Sequence, residues 1–173
     1  MEPNYTPLSD IDPMLDDVKV SARCISRWKS HPAGRPNEIW SLDMVLQDPQ
    51  GNRVQATVRT KENINKFQLL IDEGSCYRTG NFGIGENGGK FPLLNHRFKI
   101  AFYKNTSVTR LPSFDNNVRG FKFEPFPNFA SKRFTDTDVV DVIGTIVSIT
   151  DPVPFNSSGV DQIRRNVVLE DPE

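Results

Sequence analysis

Arg53, Gln55, Thr57 and Arg59 alternate with Val54, Ala56 and Val58. A period of two is the signature of a β-strand with one buried face and one polar face. The polar face carries two guanidiniums, an amide and a hydroxyl. Guanidiniums pair with phosphates and stack on flat rings, so such a face is either simply solvated or the floor of a binding surface. The stretch "SLDMVLQDPQGNRVQATVR" (41–59) reads as two strands around the turn "PQGN", and the question is what lies against the hairpin's polar side.

Catalysis has little to work with. His31 and His96 are far apart in sequence, and no paired carboxylates or Ser-His-Asp grouping stands out. "GIGENGG" is followed by a strand pattern and lacks the Lys-Ser or Lys-Thr of a phosphate-cradling loop. Cys24 and Cys76, the two cysteines, sit within apolar alternation away from other ligands, which fits two small buried residues rather than a zinc site or disulfide framework. No enzyme activity and no cofactor or metal are expected.

The net charge of -1 conceals a separation. Residues 1–17 hold five acids and no base, residues 18–111 hold 15 Lys or Arg against seven acids, and residues 112–173 hold six against ten. A basic middle between acidic flanks is the footprint of a domain that binds a polyanion. No apolar run approaches the roughly 20 residues that span a bilayer, and the N-terminus lacks a secretory pattern, so an intracellular chain is expected.

The basic middle reads as an all-β domain. "VKVSARCISRW" (18–28) alternates with Val18, Val20, Ala22, Cys24 and Ser26 on one side and Lys19, Arg23 and Arg27 on the other. A Pro/Gly-containing loop (30–37) leads to the hairpin. Ile64, Phe67, Leu70 and Ile71 fall at helical spacing, predicting a helix over 63–74 that ends at Gly74. Strands at 75–84 and 96–111 follow, with a glycine-rich turn between them. Three strands, a helix and two strands is the order of a five-stranded OB-fold barrel.

Over residues 18–111, with the "LxDxxGxxxxAT" turn in register, the chain resembles a single-stranded-DNA-binding OB domain of the replication protein A large subunit, closest to the plant-expanded replication-protein-A-like group. The resemblance implies sequence-tolerant binding of single-stranded DNA, with RNA as the alternative ligand, and a nuclear role in replication, repair, recombination or telomere maintenance beside other subunits of that kind. Such binding needs cations along the phosphate path and flat side chains for stacking. In an OB barrel the groove crosses strands two and three between two loops. The first loop here offers Trp28, Lys29, His31 and Arg35, the second Asn87, Lys90 and Phe91, and the floor Arg53, Gln55, Thr57 and Arg59. The resemblance places one stacking aromatic at Phe91 and puts Arg59 where the other would stand. Phe91 as a core residue opening the last strand is the competing reading, Trp28 is as readily barrel packing as a ligand contact, Trp40 is read as core or partly buried at the start of strand two, and Lys61 and Lys66 as solvated. The rival functions are an interaction module holding an acidic peptide in the same groove, and an assembly module in which residues 139–169 pair with a partner subunit while the barrel binds nothing.

A repeat is also visible. "DVIGTIVSIT…RRNVVLEDPE" (141–173) copies the pattern of "VKVSARCIS…SLDMVLQDPQ", with Asp171-Pro matching Asp48-Pro. The expected organisation is an acidic segment (1–17), the OB domain (18–111), a Phe/Pro-rich linker (112–138) and the first two strands of an incomplete second OB-fold (139–173). A chain built this way is expected to be a fragment of a tandem-OB protein or a shortened relative. The linker's phenylalanines either pack on the first barrel or supply a stacking residue at Phe121 or Phe123. The acidic segment is expected to lie over the basic groove.

Overall fold

The computed structural model describes residues 4–114, 120–131 and 133–171, in two compact units divided between Gly120 and Phe121. In the first unit β1 (Lys19–Ser30), β2 (Ser41–Gln47) and β3 (Arg53–Val58) form an antiparallel meander. Helix α1 (Lys61–Leu70) follows, then β4 (Cys76–Gly80), β5 (Gly83–Glu86), β6 (Phe98–Phe102) and β7 (Ser107–Leu111).

The sheet order β5-β6-β3-β2-β1-β4-β7 would be open, except that β4 runs into β5 and β6 into β7. The same two runs of chain therefore stand at both ends, and the sheet closes on itself. Parallel pairing of β3 with β6, from Ala56–Ile100 to Val58–Phe102, makes the closure. The two long strands expected over 75–84 and 96–111 are each bent. Asn81, at φ 56°, makes one corner. The turn Tyr103–Thr106 makes the other, closed by the Thr106 N–H donating to the Tyr103 carbonyl at 3.0 Å. Counted by chain run, this is a five-stranded OB barrel with one helix between strands three and four.

Alternation explains the core: Val20, Ala22 and Cys24, then Leu42, Met44 and Leu46, then Val54, Ala56 and Val58 all point inward and are buried. One end is filled by Ile64, Phe67 and Ile71, with Phe67 edge-on to Phe102 at 5.2 Å. The helix begins and ends earlier than its periodicity predicts, because Ile71 leaves it to enter the core. Gly74, at φ 79°, then turns the chain so that its N–H donates to the Cys24 carbonyl at 2.7 Å.

The other end is filled from the acidic segment. Leu8, the first residue of a 3₁₀ turn (Leu8–Asp10), and Ile11, just after it, are 0% and 2% exposed. The Leu8 N–H donates to Asp48 Oδ2 at 2.9 Å and the Leu8 carbonyl accepts from His96 Nε2 at 2.8 Å. His96 Nδ1 accepts the Phe98 N–H at 2.9 Å, so Nε2 carries the ring proton. Asp48 also accepts the N–H groups of Gln50 and Asn52 at 3.0 and 2.8 Å, which locks the Pro49–Asn52 turn. Leu8 and Ile11 are therefore core, so removing the acidic segment opens the barrel; its Asp10 and Asp12 line one cleft with Arg53 and Arg97.

In the second unit, helix α2 (Phe126–Ala130) precedes β8 (Thr145–Ile149), β9 (Val153–Ser157), β10 (Val160–Arg164) and β11 (Val167–Glu170). β8 pairs with β11 and β9 with β10, as two separate two-stranded sheets. The unit repeats three details of the first. The Thr6 N–H donates to the Lys19 carbonyl and the Asp10 N–H to that of Pro7; likewise the Glu124 N–H donates to the Asp141 carbonyl and the Asn128 N–H to that of Pro125. Pro125, Phe126 and Phe129 thus stand where Pro7, Leu8 and Ile11 stand. The pairing of β1 with β2 shifts between the partners of Val45 and Leu46, and that of β8 with β11 between those of Val168 and Leu169. Within the segment read as linker, Phe121 and Phe123 stack on each other at 5.6 Å, inside this second unit. Among the described residues no helix is long and apolar enough to cross a membrane.

Two outcomes follow from the core. Leu8→Ala should cost about 2–5 kcal/mol in urea unfolding, since it empties a filled barrel end. Burial, with the negative charge of Glu73 adding to it, pushes the Cys24 thiol up to about 12 from 9.0. The unfolded thiol then loses its proton first, so this group leaves stability unchanged below about pH 9 and lowers it above, by up to about 1.4 kcal/mol per pH unit. Cys24→Ala should remove that extra slope between pH 9 and 10.

Candidate nucleic-acid interface

A single extra residue decides which side chains line the sheet's outer face. Cys24 pairs with Leu46 and Ser26 with Val45, leaving Ile25 as a bulge in β1. Residues directly opposed across a ladder share a face. Beyond the bulge Trp28, opposite Asp43, and Ser30, opposite Ser41, face outward with Ser26, while Arg27, opposite Met44, turns to the core side. This reverses the expected sides of Ser26 and Arg27. Arg27 Nη1 donates to the Gln68 carbonyl at 2.7 Å and to that of Ile71, clamping the negative end of α1. Its backbone N–H donates to Glu73 Oε1 at 2.6 Å. Lys29, opposite Leu42, is exposed on the face away from Trp28.

The outer floor consists of three rows: Arg23–Gln47–Arg53, Ser26–Val45–Gln55 and Trp28–Asp43–Thr57. Asp43 is buried at its centre, and its Oδ2 accepts the hydroxyls of Ser30 and Ser41 at 2.6 Å each. Gln55 Nε2 approaches Oδ1 at 3.4 Å, so the amide of Gln55 is held with its nitrogen toward the carboxylate. The first row is covered by the chain itself. Arg23 Nη2 donates to the Phe114 carbonyl at 2.7 Å with the guanidinium 5.0 Å from the Phe114 ring centre, and Arg53 Nη1 donates to the Gly120 carbonyl at 3.3 Å. Gly120 is required there, because a Cβ would lie 2.9 Å from Ile25 Cγ2. The polar face of the opening hairpin is thus part covered and part open, and its open part lies toward Trp28, Thr57 and Arg59.

Each rim presents a ring with a cation on it. Beside the first loop, Trp40 is 54% exposed and the Arg59 guanidinium lies 5.7 Å from its ring centre. Of the two readings for Trp40, core or partly buried, the core one is corrected: the inward positions of β2 begin at Leu42, and Trp40 falls outside the barrel end. In the second loop, Phe91 is 59% exposed with Lys90 Nζ at 5.4 Å. Core burial on the strand that follows starts at Phe98, so Phe91 is free of the core. Arg35 is paired with Glu38 at 2.9 Å and His31 Nδ1 donates to the Glu38 carbonyl at 2.9 Å. Asn87 braces its own loop by donating to the Leu94 and His96 carbonyls, 3.0 Å each. Lys66 donates to the Lys104 carbonyl at 2.8 Å, and Lys61 is exposed. Among the described residues no group of three or more His, Cys, Asp or Glu gathers as a metal-ligand set.

Sequence reasoning missed Trp40 and Asp43. The signal for Trp40 was its position between the Pro/Asn-containing loop and the first inward residue of β2. The signal for Asp43 was an acid inside an otherwise apolar run.

Residues 9–132 match the family model described as "Domain of unknown function DUF223". The chain belongs to this family. The DUF223 match takes in the Ile11 plug, the whole barrel and the covering segment. No curated protein matches the chain. Among solved structures, the DUF223 chain is similar to one in a replication protein A heterotrimer bound to ssDNA, at 19% identity and TM-score 0.59 over 97% of this chain. It spans 39% of that longer chain. DNA binding domain A of S. cerevisiae replication protein A aligns at 16% identity and TM-score 0.48, over 65% of this chain and 97% of that one. An OB domain from Methanosarcina mazei aligns at 24% identity and TM-score 0.44, over 65% and 88%. The first of these likenesses agrees with the closed barrel described above and bears on fold.

Because Arg27 is a clamp and Arg59 a rim residue, their removal should separate. Arg27→Ala should lower stability by about 1.5–3 kcal/mol, whereas Arg59→Ala should stay within about 0.5 kcal/mol of wild type in urea unfolding.

Proposed function

We propose that the barrel binds single-stranded nucleic acid, DNA foremost, with little sequence preference and without catalysis. The observation that carries this reading is the pair of exposed ring–cation sites, Trp40 with Arg59 and Phe91 with Lys90, at the two loops bordering a hydrogen-bonded floor. A ring stacks on any base and the adjacent cation meets the phosphate, which is what sequence-tolerant binding requires. Trp28, Gln55 and Thr57 form the open floor between them. The buried negative charge of Asp43 favours a strand that turns its bases inward and its phosphates toward the rims. Lys29 and Arg35 add long-range attraction, and Arg53 contributes where the strand reaches the covered row. The solved relative of similar fold that is bound to ssDNA supports the reading.

In its finer form, the proposal makes the protein a relative of the replication protein A large subunit, of the plant-expanded group. It would act in the nucleus in replication, repair, recombination or telomere maintenance, with other subunits of that kind as partners. The second unit is read as the opening of a second OB repeat, carrying the end plug, the bulged first strand and the second strand that leads to Asp171-Pro.

Fluorescence anisotropy with oligo-dT and with a duplex of equal length tests this at two salt concentrations. Single-strand-selective binding that weakens with salt is expected, and Trp40→Ala or Phe91→Ala should each cost about 1–3 kcal/mol. Equal binding of duplex, or affinity indifferent to both aromatic changes, contradicts it. Binding of an acidic peptide in place of oligo-dT points to the interaction-module reading.

A further inference from the structure

Past Thr57 the outer face of the barrel continues onto β6 and β5, and there it is nearly bare. β3 and β6 run parallel with Thr57 beside Ala101. β6 and β5 run antiparallel with Ala101 opposite Gly83 and Lys99 opposite Gly85. Phe98, Ile100 and Phe102 are buried in the core, so Lys99 and Ala101 face outward, and Gly83 and Gly85 with them. The row Trp28–Asp43–Thr57 therefore runs on through Ala101 to Gly83. Of these four outward positions one carries a long side chain, Lys99, which among the described residues is held by no hydrogen bond or ion pair.

At the end of that strip stands Tyr103, 57% exposed. A Cβ built on Gly83 would lie 2.6 Å from both Tyr103 Cε2 and Oη but 3.0 Å from Cζ, the carbon between them. Those three distances put the Cβ in the plane of the ring, beyond its edge. The ring therefore stands upright on Gly83 with its faces turned along the sheet surface, and glycine is what lets it stand there. Its backbone is fixed by the turn: the Tyr103 N–H donates to Thr106 Oγ1 at 2.9 Å, and that hydroxyl donates to the Asn81 carbonyl at 2.9 Å. Arg59 follows Val58, the partner of Phe102, so Tyr103 stands at the same end of the sheet as the Trp40–Arg59 pair.

Packing of the ring accounts for Gly83 but not for Gly85. A Cβ on Gly85 would meet no atom within 4 Å, and its backbone lies outside the left-handed region that demands glycine. A glycine inside a strand costs stability, and nothing within the barrel requires this one. We infer that a single strand bound across β2 and β3 continues over β6 and β5, where a base stacks on the free face of Tyr103 and Lys99 meets a phosphate. The strip offers what such binding uses: a smooth surface, an upright ring and a cation on the next row, none of which discriminates between bases. Tyr103 is thereby a third stacking residue, after Trp40 and Phe91, and Gly85 keeps its approach open. The inference rests on the nucleic-acid reading and adds to it the strands over which the ligand lies.

Anisotropy titrations of the full chain with oligo-dT of about 16 nucleotides test it, with urea unfolding of each variant alongside. Tyr103→Ala should weaken binding ~5–100-fold, and Tyr103→Phe, which keeps the ring, should stay within about twofold of wild type. Gly85→Val is the sharper arm. It adds bulk where the protein has room, so the unfolding midpoint should hold or rise while binding weakens ~5-fold or more. Trp40→Ala reports separately on the face already described. Wild-type affinity in Gly85→Val, with Trp40→Ala still weakened, overturns this inference and leaves the nucleic-acid reading standing. Oligo-dT that fails to bind wild type overturns both.

Discussion

One unpaired residue in β1 governs the rest of the first unit. Without the bulge at Ile25, strict alternation would send Ser26 and Trp28 toward the core and Arg27 to the outer face. With it, Arg27 reaches the last carbonyls of α1 and ties the helix to the barrel, and Trp28 emerges beside Thr57 and Asp43. The same residue touches Gly120, where the chain returns across the sheet. Helix anchoring, the lining of the outer face and the close approach at Gly120 all depend on a single local insertion.

The floor this produces is rigid and polar. Two short hydroxyl hydrogen bonds fix Asp43 between the ends of β1 and β2, so its carboxylate anchors the mouth of the first loop. A charge-assisted bond of this kind is shorter and stronger than one between neutral groups. The cations lie apart from it, on the rims, each in contact with an aromatic ring. The cations therefore stand at the edges of the face and the hydrogen-bonded Asp43 at its centre.

Much of this was legible in the sequence, and the limits are instructive. Alternation found β1, β2 and β3, helical spacing found α1, and the order of elements gave the OB barrel. Periodicity does not register one extra residue, so Arg27 was assigned to the wrong face. It also does not show long strands bending, since Asn81 and the Tyr103–Thr106 turn interrupt hydrogen bonding more than pattern. Leu8 and Ile11 lay within an acidic stretch whose charge hid two core residues. The second copy of that plug, Pro125-Phe126-Pro127-Asn128-Phe129, is spaced differently from its strand than the first and became visible only through its backbone hydrogen bonds. Phe91 and Arg59 were named from the register of the resemblance, and both stand at the rims against a partner of opposite kind, a cation and a ring, whereas Trp40 was read as core or partly buried because a tryptophan beside an apolar strand usually is.

The central claim is that single strands lie across the open part of the β1–β3 face. The most direct measurement is a ¹H–¹⁵N titration with oligo-dT that follows the two indole N–H signals, since the chain's only tryptophans, Trp28 and Trp40, stand on that floor and its rim. Both indole signals should move, together with the side-chain amide of Gln55, while an equal amount of duplex leaves them in place. Indole signals that stay fixed while oligo-dT binds elsewhere would contradict the account.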